Sequence, residues 1–303
     1  MDRRKFIKAG VVAGTLIGAN IRNVSYALPL KVNDEVLTND EAYLSSSSNV
    51  TLGATGLIVP LMAMGSGTSG WNNASNQTRM GMDQFVKMAR NAYDRGMKFF
   101  EMAESYGSHP FFGEAMRGLP REELTLLTKI AKTDKISAAE TETKIDIYRK
   151  ELGTDYIDII LLHCMTSAGW ADSRQGVMEG LTRAKEKGIV KAVGISAHNF
   201  EALQEAVESP WVDVILARIN PFQSHMDGTP DTIRDLLGEA RRKGKGVIGM
   251  KIFGEGKHVK DEEREQSLRY ALRESNIHCM TLGFQSIEQM NDAIARVARI
   301  QKG

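Results

Sequence analysis

The sequence predicts an α/β fold in which eight parallel strands close into a (β/α)8 TIM barrel. Three observations carry that prediction. From residue 56 onward, short apolar runs alternate with longer amphipathic ones, the pattern of a parallel sheet covered by helices. The apolar runs number eight and are evenly spaced. The chain from Asn49 to the end holds about 255 residues, close to the size typical of such a barrel. An open doubly wound sheet is the competitor, but no G-x-G-x-x-G follows the first strand.

The strand candidates, in order, are Leu57–Met64, Met97–Glu101, Leu124–Lys129, Ile157–His163, Val190–Ser196, Val212–Ile219, Gly246–Met250 and His278–Leu282. Several are apolar almost throughout, as expected of strands buried on both faces. Helices are predicted at Met82–Asp94, Thr141–Leu152, Gly176–Lys187, Pro230–Arg242, Asp261–Glu274 and Ile287–Arg299. Gly96, Gly153, Gly188 and Gly244 stand just past the first four, where a left-handed cap closes a helix.

The segment before the barrel has a different character. Arg3-Arg4-Lys5-Phe6-Ile7-Lys8 precedes a short apolar stretch, Ala9 to Ala19, and then the small-residue site Ser25-Tyr26-Ala27. That order is the one expected of a secretory signal. The arginine pair followed by Phe, Ile and Lys resembles the twin-arginine export signal, with Asp2 where Ser or Thr is usual. The expectation is therefore a signal over residues 1–27, a linker over 28–48 ending in four serines, and a barrel over 49–303. Its partner would be the export machinery, and its destination periplasmic or otherwise extracytoplasmic.

Composition excludes several functions. The chain has 303 residues, 42% hydrophobic and 25% charged, with 39 Lys and Arg against 38 Asp and Glu. A net charge of +1 argues against nucleic-acid binding, and residues 1–27 hold five basic residues and one acid, so the rest of the chain has 34 basic against 37 acidic residues. No apolar run is long enough for stable membrane insertion. Two cysteines, Cys164 and Cys279, exclude a disulfide framework or a cysteine-rich cluster. Neither His163-Cys164 nor His278-Cys279 is expected to chelate a metal, because neighbours on a strand point to opposite faces. Both cysteines are expected to be buried.

In a β/α barrel, chemistry sits at the C-terminal ends of the strands. There the sequence places Glu101 and Tyr106 after the second strand, Lys129 at the third, His163 at the fourth, and Ser196 with His198 and Asn199 at the fifth. A lysine beside a tyrosine favours the phenolate and lowers its pKa. A carboxylate can hold the lysine, and a histidine can donate to a carbonyl oxygen as charge develops. Each residue alone also serves in packing or a salt bridge; the four together suit protonation of an alkoxide during hydride transfer.

These landmarks carry a resemblance. Leu52-Gly53-Ala54-Thr55-Gly56-Leu57-Ile58-Val59-Pro60, Glu101…Tyr106-Gly107, Thr128-Lys129, Leu161-Leu162-His163 and Gly194-Ile195-Ser196 occur in the order found in the aldo-keto reductase superfamily, and the likeness runs over residues 49–300. The resemblance implies reduction of an aldehyde or ketone with NADP, or NAD as the alternative, bound without a Rossmann domain. It implies Tyr106 as acid/base, Lys129 as the residue that tunes it, His163 as carbonyl polariser and Glu101 as the supporting carboxylate. It also implies that Ser196, His198 and Asn199 meet the nicotinamide. The loop Met250–Lys257, with Lys251, Phe253 and Gly256, would meet the pyrophosphate, and Gln285 and Gln289 the adenosine end.

Four positions depart from the family pattern: Glu101 replaces Asp, Ala197 replaces Asn, Leu216 replaces Gln, and Met250 stands where an aromatic residue is common. No Lys or Arg lies between Gly283 and Gln289 to meet a 2′-phosphate. Trp71, His109, Phe111 and Trp170 are the candidates for the substrate pocket, with Phe112 and His225 also following strand ends; Trp211 is expected on the opposite face and Glu104 in solvent. The departures keep open a barrel that binds a carbonyl compound or nucleotide without turnover, and an enzyme of another barrel family with a phosphate site at its late strands.

Overall fold

The structure is a computed structural model and describes residue 44, residues 48–131 and residues 133–302. The expected signal over 1–27 and most of the expected linker lie outside the described residues. Two residues of the expected linker, Leu44 and Ser48, are described. Leu44 is 2% exposed and its N–H donates to the Arg95 carbonyl at 2.9 Å, so this residue is part of the core.

The first predicted strand divides in two. β1 (Asn49–Thr51) and β2 (Ile58–Pro60) form an antiparallel hairpin, and the barrel begins only at β3 (Met62–Gly65). Pro60 has no N–H for a continuing ladder. The hairpin buries Leu52 and Val59 against Leu127, Leu161 and Leu216, residues of the barrel interior. It thus closes one end of the barrel with apolar side chains.

The remaining strands are β4 (Phe99–Glu101), β5 (Thr125–Ile130), β6 (Ile157–Met165), β7 (Val190–Ala197), β8 (Val214–Arg218), β9 (Gly246–Met250) and β10 (Cys279–Gly283). They pair in parallel in chain order, and β10 returns to β3 to close the ring. Along β6 the alternation is plain. Ile159 and Leu161 join the interior cluster, while Ile160 and Leu162 pack outward against the helices.

The helices are α1 (Met82–Asp94), α2 (His109–Met116), α3 (Ala138–Leu152), α4 (Trp170–Ser173), α5 (Gln175–Glu186), α6 (Phe200–Glu208), α7 (Pro230–Arg242), α8 (Asp261–Arg273) and α9 (Ile287–Lys302). Gly153 adopts a left-handed φ of 65° and caps α3, as its position predicts. α3 starts three residues earlier than expected because Ser137 and Glu140 form a reciprocal capping box. α2, α4 and α6 are short and were not predicted. Their residues pack into the core and none of them lines the cavity described below.

Candidate active site

β4 ends on Glu101, and the 3-10 turn Glu104–Tyr106 follows directly. β5 carries Lys129 and β6 carries His163. Parallel pairing brings these strand ends side by side, and the four side chains meet. Lys129, 1% exposed, pairs with the Glu101 carboxylate and donates to the Met102 carbonyl at 2.8 Å. Its Nζ also lies 3.4 Å from Tyr106 Oη, and that oxygen lies 3.3 Å from His163 Nε2.

The extra methylene of Glu101 has a specific accommodation. Thr281 Oγ1, on β10, donates to Glu101 Oε2 at 3.1 Å. Gly65, at the end of β3, leaves the space that the carboxylate fills. A Cβ there would fall 2.9 Å from Oε2 and 2.6 Å from Thr281 Oγ1.

Burial raises the Tyr106 phenol well above its ordinary value, and the Glu101 carboxylate raises it further. Lys129, which lies against this hydroxyl, is held in an ion pair with Glu101. Burial also lowers the Lys129 ammonium, opposed by attraction to Glu101. His163 is pushed well below its usual range by burial, then by Lys129 and His198. At neutral pH the site therefore holds a protonated phenol and a neutral imidazole, both able to donate to one oxygen. The backbones of Gly67 and Gly70 lie on the Tyr106 ring, and a Cβ at either would collide with it.

Tyr106, Glu101 and His163 open onto a cavity of about 1370 Å³. His198, Lys251, Phe253, Gly256, Gln285, Gln289 and Trp71 line it as well. Burial pushes the His198 imidazole down to about 4, opposed by a hydrogen bond with the Ser196 backbone. Beside it the wall is Leu216 and Met250. Lys251 pairs with Glu255 at 2.8 Å. An extended dinucleotide with a carboxamide at one end and phosphates in the middle fits this set. The His198 imidazole on the cavity wall suits the carboxamide, and Lys251 on a glycine-containing loop suits the phosphates.

Other expected residues are used elsewhere. Ser196 is fully buried and its Oγ accepts the Cys164 N–H at 2.7 Å. Asn199 caps α6 by accepting the Ala202 N–H at 2.9 Å. Neither lines the cavity. The same correction applies to three pocket candidates. His109 opens α2 and is held between Glu151 at 3.0 Å and Thr128 at 2.7 Å. Phe111 packs edge-on to Phe85 in the helical layer, with Phe112 buried beside it. Trp170 opens α4, is 2% exposed, and donates to the Ala202 carbonyl at 3.2 Å beside Trp211. All three begin or lie in short helices whose apolar faces turn to the core.

Two residues move the other way. Cys164 is exposed and lines the cavity beside His163, because the β6–β7 register shifts between Leu162 and Met165 and Cys164 adopts a φ of 64°. Cys279 is buried as expected. Glu104 is not simply solvated; it lines the cavity, pairs with Lys144 and accepts the Ala131 N–H at 3.2 Å. His225 stands outside the cavity, 3.4 Å from Glu255.

Sequence reasoning missed Arg264. It lies on α8, lines the cavity near Gln289, and donates to Asp292 at 2.6 Å. A cation search confined to the segment after the last strand could not find it, since it comes from the preceding helix. Among the described residues no group of three or more His, Cys, Asp or Glu could hold a metal, and no helix is long and apolar enough to cross a membrane.

Comparison with known proteins follows the same lines. Methylglyoxal reductase from Salmonella typhi is 26% identical over 186 residues, 61% of this chain and 67% of that protein. L-galactose dehydrogenase from Arabidopsis thaliana is 24% identical over 289 residues, 82% of this chain and 88% of that protein. The crystal structure of an aldo/keto reductase from Klebsiella pneumoniae, in complex with NADP and acetate, superposes with a TM-score of 0.65 at 18% identity. That match covers 84% of this chain and 94% of the other and speaks for the fold. Residues 63–303, from the first barrel strand to the last residue, match the sequence model of the Aldo/keto reductase family. With the closed eight-stranded ring described above, that match settles the kinship: the chain belongs to the aldo/keto reductase family.

Proposed function

We propose that this barrel is an NADP-dependent oxidoreductase that reduces an aldehyde or ketone, or oxidises the corresponding alcohol, with Tyr106 as the proton donor. The observation that carries the reading is the mutual contact of Glu101, Lys129, Tyr106 and His163, with Glu101, Tyr106 and His163 lining one cavity and Lys129 buried against them. The relatives named above, a reductase and a dehydrogenase, support an oxidoreductase of this kind. The NADP held in the Klebsiella pneumoniae structure supports the cofactor.

NADPH, when bound, supplies a hydride to the carbonyl carbon. The chain's own residues manage the oxygen. Tyr106 keeps its proton until negative charge develops on that oxygen, because burial disfavours the phenolate before then. As the proton leaves, the phenolate forms beside the Lys129 ammonium, 3.4 Å away. Glu101 and the Met102 carbonyl fix that ammonium in place. His163, neutral, adds a second donor to the same oxygen. His198 would hold the carboxamide, Lys251 with Phe253 and Gly256 the pyrophosphate, and Arg264 with Gln285 and Gln289 the adenosine end. Trp71 forms the outer wall for the substrate.

The test is a fluorescence titration with NADPH and NADH, followed by turnover of small aldehydes. Binding of NADPH and loss of turnover in Tyr106→Phe, by about 100-fold or more with the titration unchanged, are expected. No binding of either nucleotide would sink the reading. A second reading, a barrel that binds without turnover, draws on the apolar Leu216 and Met250 against the nicotinamide region. It predicts binding and no turnover with any carbonyl.

The twin-arginine pattern of residues 1–27 supports an exported protein. Mass spectrometry of natively purified protein tests this through its mature N-terminus and any retained dinucleotide. An uncleaved chain recovered from the cytoplasm alone would refute it.

A further inference from the structure

His163 has a second neighbour, Ser105, that the reaction described above does not use. Ser105 Oγ lies 3.3 Å from His163 Nδ1, while Tyr106 Oη lies 3.3 Å from Nε2. Two consecutive residues of one 3-10 turn thus face the two nitrogens of one imidazole. The turn is itself pinned. The Asn73 N–H donates to the Ser105 carbonyl at 2.9 Å, and Gly107 packs directly on the Asn73 backbone.

A neutral imidazole carries one N–H, so two arrangements exist. In the first, the proton sits on Nδ1 and is donated to Ser105. Nε2 is then bare, the Tyr106 O–H turns toward it, and a carbonyl oxygen meets a lone pair and loses the tyrosine proton. In the second, Ser105 donates its hydroxyl proton to Nδ1. Nε2–H and the Tyr106 O–H are then both free to donate to the carbonyl oxygen. Only the second arrangement serves the chemistry. His163 Nδ1 is the one side-chain acceptor that Ser105 Oγ meets among the described residues.

We propose that Ser105 is a positioning residue that holds His163 in the tautomer with its proton on Nε2. The proposal rests on the reading of Tyr106 and His163 as the groups that meet a carbonyl oxygen. The nitrogen that does not face the substrate is the one whose hydrogen bond chooses the tautomer, and here that bond belongs to a serine on the tyrosine's own turn. The role is specific to a hydroxyl. A threonine keeps the donor; an alanine removes it and leaves the Tyr106 O–H to compete for the imidazole.

The experiment is nitrogen-15 NMR of the full-length protein labelled at histidine, with His163→Gln used to assign the signals, with and without NADPH. In the wild type the His163 pattern of an Nε2–H tautomer is expected, retained in Ser105→Thr and shifted toward Nδ1–H in Ser105→Ala. Kinetically, Ser105→Ala is expected to lower kcat by about 100-fold, the lower end of what a positioned acid contributes, with NADPH affinity unchanged and Ser105→Thr close to wild type. An Nδ1–H pattern in the wild type with NADPH bound, or identical patterns in wild type and Ser105→Ala, would overturn the proposal. If the wild type turns over no carbonyl, the functional reading fails, and the NMR comparison still decides the role of Ser105.

Discussion

Replacing Glu101 by aspartate, the residue usual in the family, is expected to damage this protein. The aspartate carboxylate withdraws by one C–C bond, about 1.5 Å. Glu101 now reaches two partners at once, the Lys129 ammonium through Oε1 and Thr281 Oγ1 through Oε2 at 3.1 Å. A carboxylate drawn back by that distance loses one of them, and a lysine only 1% exposed is left poorly compensated. A displacement of about 1 Å near the reacting groups lowers rate about 100-fold, so kcat/KM of Glu101→Asp should fall by that order. Gly65→Ala should also damage the site, because its Cβ would stand 2.9 Å from Oε2. The double variant is the decisive one. The alanine fills the space that the shorter carboxylate vacates, so Glu101→Asp with Gly65→Ala should lose less than the two single losses combined. The assay is NADPH oxidation with a small aldehyde, read beside thermal unfolding of all four proteins. Full activity in Glu101→Asp, or strict additivity in the double variant, would refute the idea that Gly65 and Thr281 form a cradle for the longer side chain.

Three further outcomes are expected. His198→Ala should weaken NADPH about 5-fold in a fluorescence titration, the value of one hydrogen bond to the carboxamide, while His198→Gln retains most of the affinity. Arg264→Ala should weaken NADPH about 10-fold and NADH little, since a charge-assisted contact to a 2′-phosphate would be lost; equal effects on both nucleotides would remove Arg264 from that role. Stability should fall as pH drops from about 6.5 toward 4, because unfolded histidine protonates near 6.5. His198 and His278, each pushed down to about 4 mainly by burial, stay neutral in the folded chain over that window. The unfolded state therefore binds more protons there, and stability rises with pH. Urea titrations at several pH values should show this slope, reduced in His198→Gln; a flat profile would contradict it.

Much of the barrel can be read from residues alone because its signals are local. α1 and α7 carry helical apolar periodicity, and β9 is a short apolar run set off by Lys243-Gly244; all three boundaries are met. The hairpin is harder. Its strands have three residues each, too few for a period to declare itself, and β2 runs straight into the barrel strand. Glu101, Lys129, Tyr106 and His163 were accessible because parallel strands align their ends, so chain order maps onto neighbourhood. That rule tells where a residue is, not which way it points. His109 and Trp170 follow strand ends as expected, yet each opens a short helix that turns it into the core. Cys164 departs for the opposite reason, since a shift of register brings it out where alternation would bury it. Arg264 depends on the packing of α8 beside α9, a relation between distant segments that spacing does not encode.

In the loop after β3, the isolated antiparallel bridge between Trp71 and Ala74 joins the wall of the cavity to the turn that carries Tyr106, through the Asn73 N–H and the close approach of Gly107. The loop that walls the cavity and the turn that carries Tyr106 are therefore linked rather than interchangeable parts. Grafting a foreign loop over residues 65–76 to change what the cavity accepts would also release the turn beneath it. Substrate range in this protein should widen more readily by single replacements at Ile136 or Val259, cavity-lining residues outside that loop in the chain, than by loop exchange.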